Sequence, residues 1–222
     1  VAAAEMAFAG GFGITLNLSS VVTEGPINKN DTILFSESNS RFIVEVRPEH
    51  QQQFETLLKK QKAITLATEG IGIDIGNPVA NHTIIKVCNP YCGPCARAHP
   101  KIEELIDQNK NIRAKIIFTT ANEETNPAVK PVRHLLAIAE QNNVEKIRQA
   151  LDDWYLPKNK DYTQFAKKYP INGELIKQEH KIEKMAKWCK AMDVFATPTF
   201  FIDGYELPDA YSIEDLQYFL QE

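Results

Sequence analysis

The chain has 222 residues, of which 43% are hydrophobic and 24% are charged, and its formal net charge is -4 at pH 7. This composition is typical of a globular protein with one large or two small domains. The negative charge argues against nucleic acid as a partner, and no apolar run reaches the roughly 20 residues that cross a bilayer. We therefore expect neither nucleic-acid binding nor direct membrane insertion.

The first 70 residues predict a small α+β module. The chain opens without a methionine, on residues typical of the middle of a helix that ends at Gly10 and Gly11, so we expect the natural chain to begin earlier. Alternating apolar residues then predict strands, two of them joined in a hairpin, and Pro48 begins a helix. The predicted strands are 13–19, 32–38, 41–47 and 63–70, and the helix is 48–60.

The remainder of the chain predicts an α/β domain. A connector rich in Gly, Pro and Asn covers 71–80, and the domain is expected over 81–222, with a helical insert at about 127–191. The order of strand, helix, strand, helical insert, strand and helix is typical of a central sheet covered on both faces. Outside the insert, the predicted strands are 83–89, 113–120 and 197–207, and the predicted helices are 94–107 and 212–221.

Three of the four cysteines lie close together, in the stretch VCNPYCGPCARAHP. The spacing of Cys88, Cys92 and Cys95 matches an iron–sulfur motif by count, since three thiolates can hold a cluster. However, an apolar strand leads directly into Cys88, unlike the exposed loop of such motifs, and a zinc site would have only His99 nearby as a fourth ligand. A metal or iron–sulfur protein is therefore the third hypothesis, and we expect no metal.

The segment Cys92-Gly93-Pro94-Cys95 lies between a predicted strand and a predicted helix, where C-x-x-C is typical of a redox-active dithiol. Cys92 would begin the helix, where unpaired N–H groups and the helix dipole stabilise a thiolate and lower its pKa. Pro94 suits the first helical position, which needs no N–H donor. Cys95, one turn further, would be more buried and able to attack a mixed disulfide formed at Cys92.

The CGPC motif, the string ATPTFFIDG and the order of elements together resemble a thioredoxin fold over about residues 72–222, and the helical insert resembles its DsbA-like branch. The strings IIKVCNPYCGPCARAHP and YELPDAYSIEDLQYFL are similar to the thioredoxin-like domain fused to bacterial vitamin K epoxide reductase homologues. The resemblance implies that Cys92 is the nucleophile and Cys95 the resolving thiol. It also implies that Pro198, if cis, lies on the substrate-docking surface, where the Thr197 backbone can pair with an extended peptide.

Other residues near the motif complete the predicted site. Tyr91, Gly93 and Pro94 are expected on the substrate-binding surface, with Tyr91 in place of the tryptophan that precedes the first cysteine in thioredoxins. Cys88 and Cys189 are expected to be buried packing residues, because free cysteine is among the most buried residue types. A second pair between these two thiols is the alternative.

Lys86 and His99 are two residues near the motif that could carry a positive charge. Lys86 stands where thioredoxins carry a buried acid. If it is buried near the motif, its cation would favour the Cys92 thiolate while removing the proton acceptor that helps Cys95. His99, on the predicted active-site helix, is expected at the surface rather than as a base.

The strings AEMAFAGGFGITLNLS and LFSESNSRFIVEV resemble the C-terminal lobe of phosphoribosylformylglycinamidine synthase, a purine-biosynthesis enzyme of the AIR-synthase superfamily, over residues 1 to about 70. The resemblance begins within that lobe and includes no nucleotide-binding lobe. We find no P-loop and no acidic cluster for the phosphates and magnesium of an ATP-driven reaction. Residues 1–70 therefore predict a partial module, in which Ser36, Glu37 and Ser38 are hairpin residues.

The sequence as a whole thus predicts an α/β thioredoxin-like fold with a helical insertion, preceded by an N-terminal α+β fragment. The first functional hypothesis is a thiol–disulfide oxidoreductase without a cofactor, and the alternative is a purine-biosynthesis fragment with a binding or assembly role. The resemblances imply protein thiols and disulfides as partners, together with a membrane quinone-linked oxidoreductase. They favour the periplasm or cell envelope for the thioredoxin-like domain but the cytoplasm for the N-terminal fragment.

Overall fold

A computed structural model of the protein describes residues 48–123, 125–173 and 175–220. The chain divides into two compact units, 1–48 and 49–222. The elements predicted within 1–47, including the hairpin at Ser36, Glu37 and Ser38, lie outside the described residues.

The described residues form one mixed sheet with helices packed against it. The strands are β1 (Ile73–Gly76), β2 (His82–Cys88), β3 (Ile112–Phe118), β4 (Thr199–Ile202) and β5 (Tyr205–Glu206). Their order across the sheet is β1-β3-β2-β4-β5, in which β2 and β3 run parallel and the other neighbours are antiparallel. The last five residues of β2 and of β3 are all buried, as expected for central strands covered on both faces.

The helices of the described residues follow the predicted order. They are α1 (Pro48–Leu58), α2 (Gly93–Gln108), α3 (Val129–Ala139), α4 (Val144–Tyr155), α5 (Tyr162–Lys168), α6 (Glu179–Ala191) and α7 (Leu216–Phe219), with 3-10 turns at Ile176–Gln178 and Ile213–Asp215. α3 to α6 make up the predicted insert. Local polar residues fix where helices begin, since the Asn143 side chain caps α4 and the Asp161 side chain caps α5.

Two sequence-based predictions about residues 63–80 are wrong. The connector over 71–80 contains β1, which pairs with the outer side of β3. We predicted a connector because of its Gly and Pro content and overlooked a short alternating pattern. In that pattern Ile73 and Ile75 are buried. The strand predicted over 63–70 is reduced to a single bridge between Ala63 and Tyr205.

The C-terminal elements also differ from the predictions. The strand predicted over 197–207 is a hairpin of β4 and β5 that turns at Asp203 and Gly204, both with positive φ. The helix predicted over 212–221 is a 3-10 turn followed by the short helix α7. Ser212 and Asp215 form the capping box that begins the turn.

Residues 49–70 pack on the thioredoxin-like part of the chain, in the same compact unit. Phe54 is only 2% exposed, and its ring stacks on Phe219 at a centroid distance of 4.4 Å and meets Tyr211 edge-on at 5.0 Å. The Ile64 N–H donates to the Gly204 carbonyl at 2.7 Å. The unit therefore begins at Glu49, ahead of the border that we predicted near residue 70.

This packing predicts a large effect of truncating Phe54. We expect Phe54→Ala to lower the free energy of unfolding by about 3–5 kcal/mol, because it empties a buried aromatic site. The matched control is Phe195→Ala, since Phe195 is 88% exposed and its truncation should change stability by about 0.5 kcal/mol or less. Urea unfolding measures both, and equal effects would show that α1 does not pack on this unit.

Candidate active site

Cys92 lies at the junction between the sheet and α2. The strand β2 ends at Cys88, the Cys92 N–H donates to the Asn89 carbonyl at 3.1 Å, and α2 begins at Gly93. Cys92 is the N-cap residue of α2, and its sulfur accepts a hydrogen bond from the Cys95 N–H at 3.2 Å. A sulfur at this position faces the positive end of the helix dipole.

Gly93 and Pro94 occupy the first two positions of α2, so the proline is one position later than predicted. The difference does not change its role, because N–H groups in the first turn of a helix lack intrahelical acceptors. Both residues allow the backbone to enter the helix directly after Cys92.

The loop before β4 lies against the Cys92 sulfur. In the thiol form, Cys92 Sγ donates to the Thr197 carbonyl at 3.3 Å, and the Thr197–Pro198 peptide bond is cis. β2 and β4 are antiparallel neighbours, so the end of β2 lies beside the start of β4. The sheet therefore brings together two segments that are 105 residues apart in the chain.

The environment of Cys92 favours its ionised form. Partial burial alone would raise the pKa of this thiol, but hydrogen bonding from the Cys95 thiol, the Thr197 side chain and the Cys95 N–H outweighs it. The positive charge of Lys86 acts in the same direction. The pKa of Cys92 consequently lies below the ordinary value of 9.0.

Cys95 lies one helical turn further and has the opposite environment. Its side chain is fully buried. Burial, followed by the hydrogen bond with Cys92, raises the pKa of Cys95 to about 12. The two cysteines of the motif thus differ in both exposure and acidity, with the more acidic thiol nearer the surface.

Lys86 is completely buried beneath the motif. Its Nζ donates to the Cys95 carbonyl at 2.9 Å and lies 4.4 Å from the centre of the Tyr155 ring. The Tyr155 hydroxyl in turn contacts Cys88 Sγ at 3.1 Å. Burial lowers the pKa of Lys86, and the neighbouring thiols Cys88, Cys95 and Cys92 counteract that shift.

His99 is fully buried, so the prediction that it lies at the surface is wrong. Its Nε2 lies 2.9 Å from an Asp152 carboxylate oxygen, and its Nδ1 has no hydrogen-bond partner among the described residues. Burial, aided by the charges of Lys86 and Arg148, lowers the pKa of His99 to about 3. His99 follows Cys95 by four residues, and residues at this spacing share a helix face, so the burial was foreseeable from the sequence.

Tyr91 lies beside the motif and is 42% exposed. Its ring meets Trp154 edge-on at 5.6 Å, and the Trp154 indole N–H donates to the Pro90 carbonyl at 2.9 Å. α4 of the insert therefore supports the loop that carries Tyr91. Phe195, two residues before Thr197, is 88% exposed and was missed by the sequence analysis, although its place next to the Thr-Pro step was visible.

The two remaining cysteines are buried, as predicted. Cys88 is fully buried and Cys189 is 4% exposed, and all four cysteines are free thiols. Burial raises the pKa of Cys189 to about 12. Among the described residues, no group of three or more His, Cys, Asp or Glu is arranged to hold a metal ion. In that same part of the chain, no helix combines the length and apolar character that a membrane span requires.

Comparison with known proteins finds matches to two different families in the two parts of the chain. Residues 1–69 match the family described as AIR synthase related protein, C-terminal domain. A curated relative, phosphoribosylformylglycinamidine synthase subunit PurL of Alkaliphilus metalliredigens, is 38% identical over 77 residues. These residues are 35% of this chain but only 9% of that subunit. Both findings confirm the predicted resemblance of the N-terminal fragment.

Solved structures share the fold of the second part. BdbD from Bacillus subtilis is 13% identical with a TM-score of 0.56, over 71% of this chain and 95% of that chain. A thioredoxin-like oxidoreductase from Silicibacter pomeroyi is 18% identical with a TM-score of 0.54, over 69% of this chain and 92% of that chain. The thiol-disulfide exchange protein alpha-DsbA2 from Wolbachia pipientis is 18% identical with a TM-score of 0.53, over 78% of this chain and 97% of that chain.

The predicted thioredoxin-like fold with a helical insertion is thus confirmed, since these structures share the mixed sheet and its helices. The family described as thioredoxin matches residues 68–222, which is more than half of the chain. The chain therefore belongs to the thioredoxin family.

Proposed function

We propose that this chain is a thiol–disulfide oxidoreductase that exchanges disulfides with protein substrates through Cys92 and Cys95. The observation that carries the proposal is the position of Cys92 Sγ, which is partly exposed, caps α2 and has a lowered pKa. Cys95 lies buried directly behind it. A thiolate that reacts first and a hidden thiol that reacts second are the two parts that this chemistry needs.

The reaction follows from this asymmetry. The Cys92 thiolate attacks one sulfur of a substrate disulfide and forms a mixed disulfide with it. The other substrate sulfur leaves as a thiolate. The Cys95 thiol then loses its proton and its sulfur attacks Cys92 Sγ, which releases the second substrate thiolate and forms the Cys92–Cys95 disulfide. Two electrons pass from the dithiol to the substrate, and the reverse sequence oxidises a substrate dithiol.

The surface around Cys92 supports polypeptides as substrates. The Thr197 backbone precedes β4 and touches the sulfur, so an extended peptide could add to it through main-chain hydrogen bonds. Tyr91 and Phe195 expose aromatic rings on the two segments that meet at Cys92. We therefore propose that the substrates are extended or unfolded segments with apolar residues near their cysteines. A membrane quinone-linked partner stays a prediction.

A role as a purine-biosynthesis fragment is the second candidate, and the match of residues 1–69 to the AIR-synthase C-terminal family favours it. In this case the chain would bind or assemble with other parts of that enzyme, and the CGPC motif would be incidental. The two candidates differ in whether the chain catalyses disulfide exchange.

Insulin reduction by dithiothreitol separates these candidates. We expect the wild-type protein to accelerate the reaction and Cys92→Ser to return it to the rate with dithiothreitol alone, because the serine cannot form a mixed disulfide. Cys189→Ala is the matched control, since it removes a buried thiol outside the motif and should keep most of the activity. Equal turbidity curves for the wild type and Cys92→Ser would leave only the second candidate.

The acidity of Cys92 gives a prediction about pH. Its pKa is lowered from the ordinary value, so at pH 7 a larger fraction is ionised than in the same side chain without its hydrogen bonds, and iodoacetamide should label Cys92 faster in the folded protein than in urea. As the pH falls through the pKa of Cys92, the sulfur gains its proton and labelling should slow. Mass spectrometry of the labelled peptide gives the rates, with Cys92→Ser as the blank. Labelling of Cys92 no faster in the folded protein than in urea would be incompatible with an activated thiolate.

The exposed ring of Phe195 gives a prediction about substrate size. We expect Phe195→Ser to raise KM for insulin about threefold to tenfold, as expected when roughly 1 kcal/mol of apolar contact is lost. Exchange with a small aromatic disulfide should change little, because that reagent needs no docking surface. Val79→Ser is the control, since Val79 is 80% exposed but precedes β2, whereas Cys92 follows it. An unchanged KM for insulin would exclude Phe195 from substrate docking.

A further inference from the structure

The second step of disulfide exchange requires the buried Cys95 thiol to be deprotonated. Cys95 must lose its proton before its sulfur can attack, yet its side chain is fully buried and the pKa of its thiol is raised to about 12. A thiol of this kind is almost entirely protonated at neutral pH, and bulk water does not touch it. A protein group close to Cys95 must therefore accept the proton if the step is to be fast.

Most polar groups near Cys95 are poor acceptors. Cys88 and Tyr155 are buried and carry their own protons, because burial raises the pKa of each. His99 has a pKa lowered to about 3, so it binds a proton weakly. Glu103 lies two helical turns beyond Cys95.

The Glu103 carboxylate is also engaged elsewhere. Arg148 Nε donates to Glu103 Oε2 at 2.6 Å, and the same guanidinium reaches Asp107 at 2.8 Å. Among the described residues this leaves the amine of Lys86, which is inherently basic and already touches the Cys95 carbonyl at 2.9 Å.

The surroundings of Lys86 allow both of its protonation states. No carboxylate forms an ion pair with it among the described residues, and burial lowers its pKa, which shifts its equilibrium toward the neutral amine when no thiolate is nearby. That is the situation in the mixed disulfide, where the Cys92 sulfur is uncharged. Once protonated, the ammonium lies 4.4 Å from the centre of the Tyr155 ring, and the negative charge of the new Cys95 thiolate also favours it.

From its sequence position Lys86 was expected to remove the proton acceptor that helps Cys95, but we propose that its neutral amine is itself the internal proton acceptor for Cys95. This inference rests on the proposed function and deepens it. In the mixed disulfide, the proton passes from Cys95 Sγ to Lys86 Nζ. The Cys95 thiolate then forms a bond with Cys92 Sγ, the bond from Cys92 to the substrate breaks, and the released substrate thiolate takes up the proton from Lys86. Cys92 and Cys95 are oxidised by two electrons, and the substrate is reduced by two.

The pH dependence of this step depends on every group that faces Lys86. Neighbouring strands place Ile116 and Phe200 beside Lys86, and neither of them titrates. The titratable groups around it come from β2, from α2 with its N-cap residue, and from α4, and they are Cys88, Cys92, Cys95, His99, Glu103 and Tyr155. Since the thiols are the groups that change charge during the reaction, the proton affinity of Lys86 rises as the Cys95 thiolate forms.

Stopped-flow reaction with one equivalent of dithiobis(nitrobenzoic acid) separates the two steps. Attack by Cys92 releases the first nitrothiolate, and attack by Cys95 on the mixed disulfide releases the second. Cys95→Ser should release only the first. A wild-type protein that also released only the first would refute the proposed function itself, whatever the role of Lys86.

The test variant is Lys86→Met, which keeps the length of the side chain but removes the amine. We expect the second release to slow about hundredfold at pH 7, which is within the range of a lost general base. Its rate should then rise about tenfold per pH unit, because hydroxide must take the proton. The first release should slow far less than the second, because Lys86 affects Cys92 only through its charge. An unchanged second release in a folded Lys86→Met protein would overturn the proposal.

Two further variants separate proton transfer from charge and from packing. Lys86→Arg keeps the positive charge but cannot accept a proton, so it should slow the second release as Lys86→Met does. A wild-type rate in Lys86→Arg would show that only the charge matters and would overturn the proposal. The matched control is Lys115→Met, because Lys115 is a buried lysine on β3 whose amine bonds Asp74 and the Ile71 carbonyl, away from the motif. Both releases should keep their wild-type rates in it.

A measurement on the wild type covers the case in which the Lys86 variants do not fold. The nitrogen-15 shift of lysine Nζ reports whether the amine carries its third proton. In the disulfide form we expect the Lys86 amine to lose that proton at a lower pH than the surface lysines. An amine that stays charged until those lysines titrate could not accept a proton from Cys95 and would contradict the proposal.

Discussion

The hydrogen bond from the Cys95 N–H to the Cys92 sulfur is the interaction on which the site depends. It exists because α2 begins immediately after Cys92, so the first turn of the helix directs its free N–H groups at that sulfur. The same turn sends Cys95 into the core, where its thiol is shielded from water. One helix start therefore produces both the acidic outer thiol and the protonated inner thiol.

The protein beneath this helix start is unusually polar for a core. Lys86, His99 and Tyr155 are all buried, and they come from β2, α2 and α4. Burying such groups costs free energy unless they find partners, and each of them has one. Lys86 bonds the Cys95 carbonyl, His99 bonds Asp152, and Tyr155 contacts Cys88. The helical insert supplies a residue to two of these three contacts, which gives it a role in the site beyond covering the sheet.

The boundary between the two family matches is not a structural boundary. The families meet at residues 68–69, whereas the compact unit begins at Glu49. Helix α1 and the segment after it belong to the N-terminal match, yet Phe54 packs between Tyr211 and Phe219 at the other end of the chain. A module defined by sequence similarity has thus contributed a helix to the core of its neighbour.

By itself, the sequence determined the local features of this protein: the CGPC helix start, the two central strands and the helices of the insert. These follow from short-range periodicity and capping, which act between residues close in the chain. The sequence could not place Thr197 against Cys92, Asp152 against His99, or Phe54 against Phe219. The glycines around β1 also led us to predict a connector there instead of a strand. Only the tertiary structure decided those contacts, because they join residues far apart in the chain and depend on how the sheet orders its strands and where the insert folds back over α2.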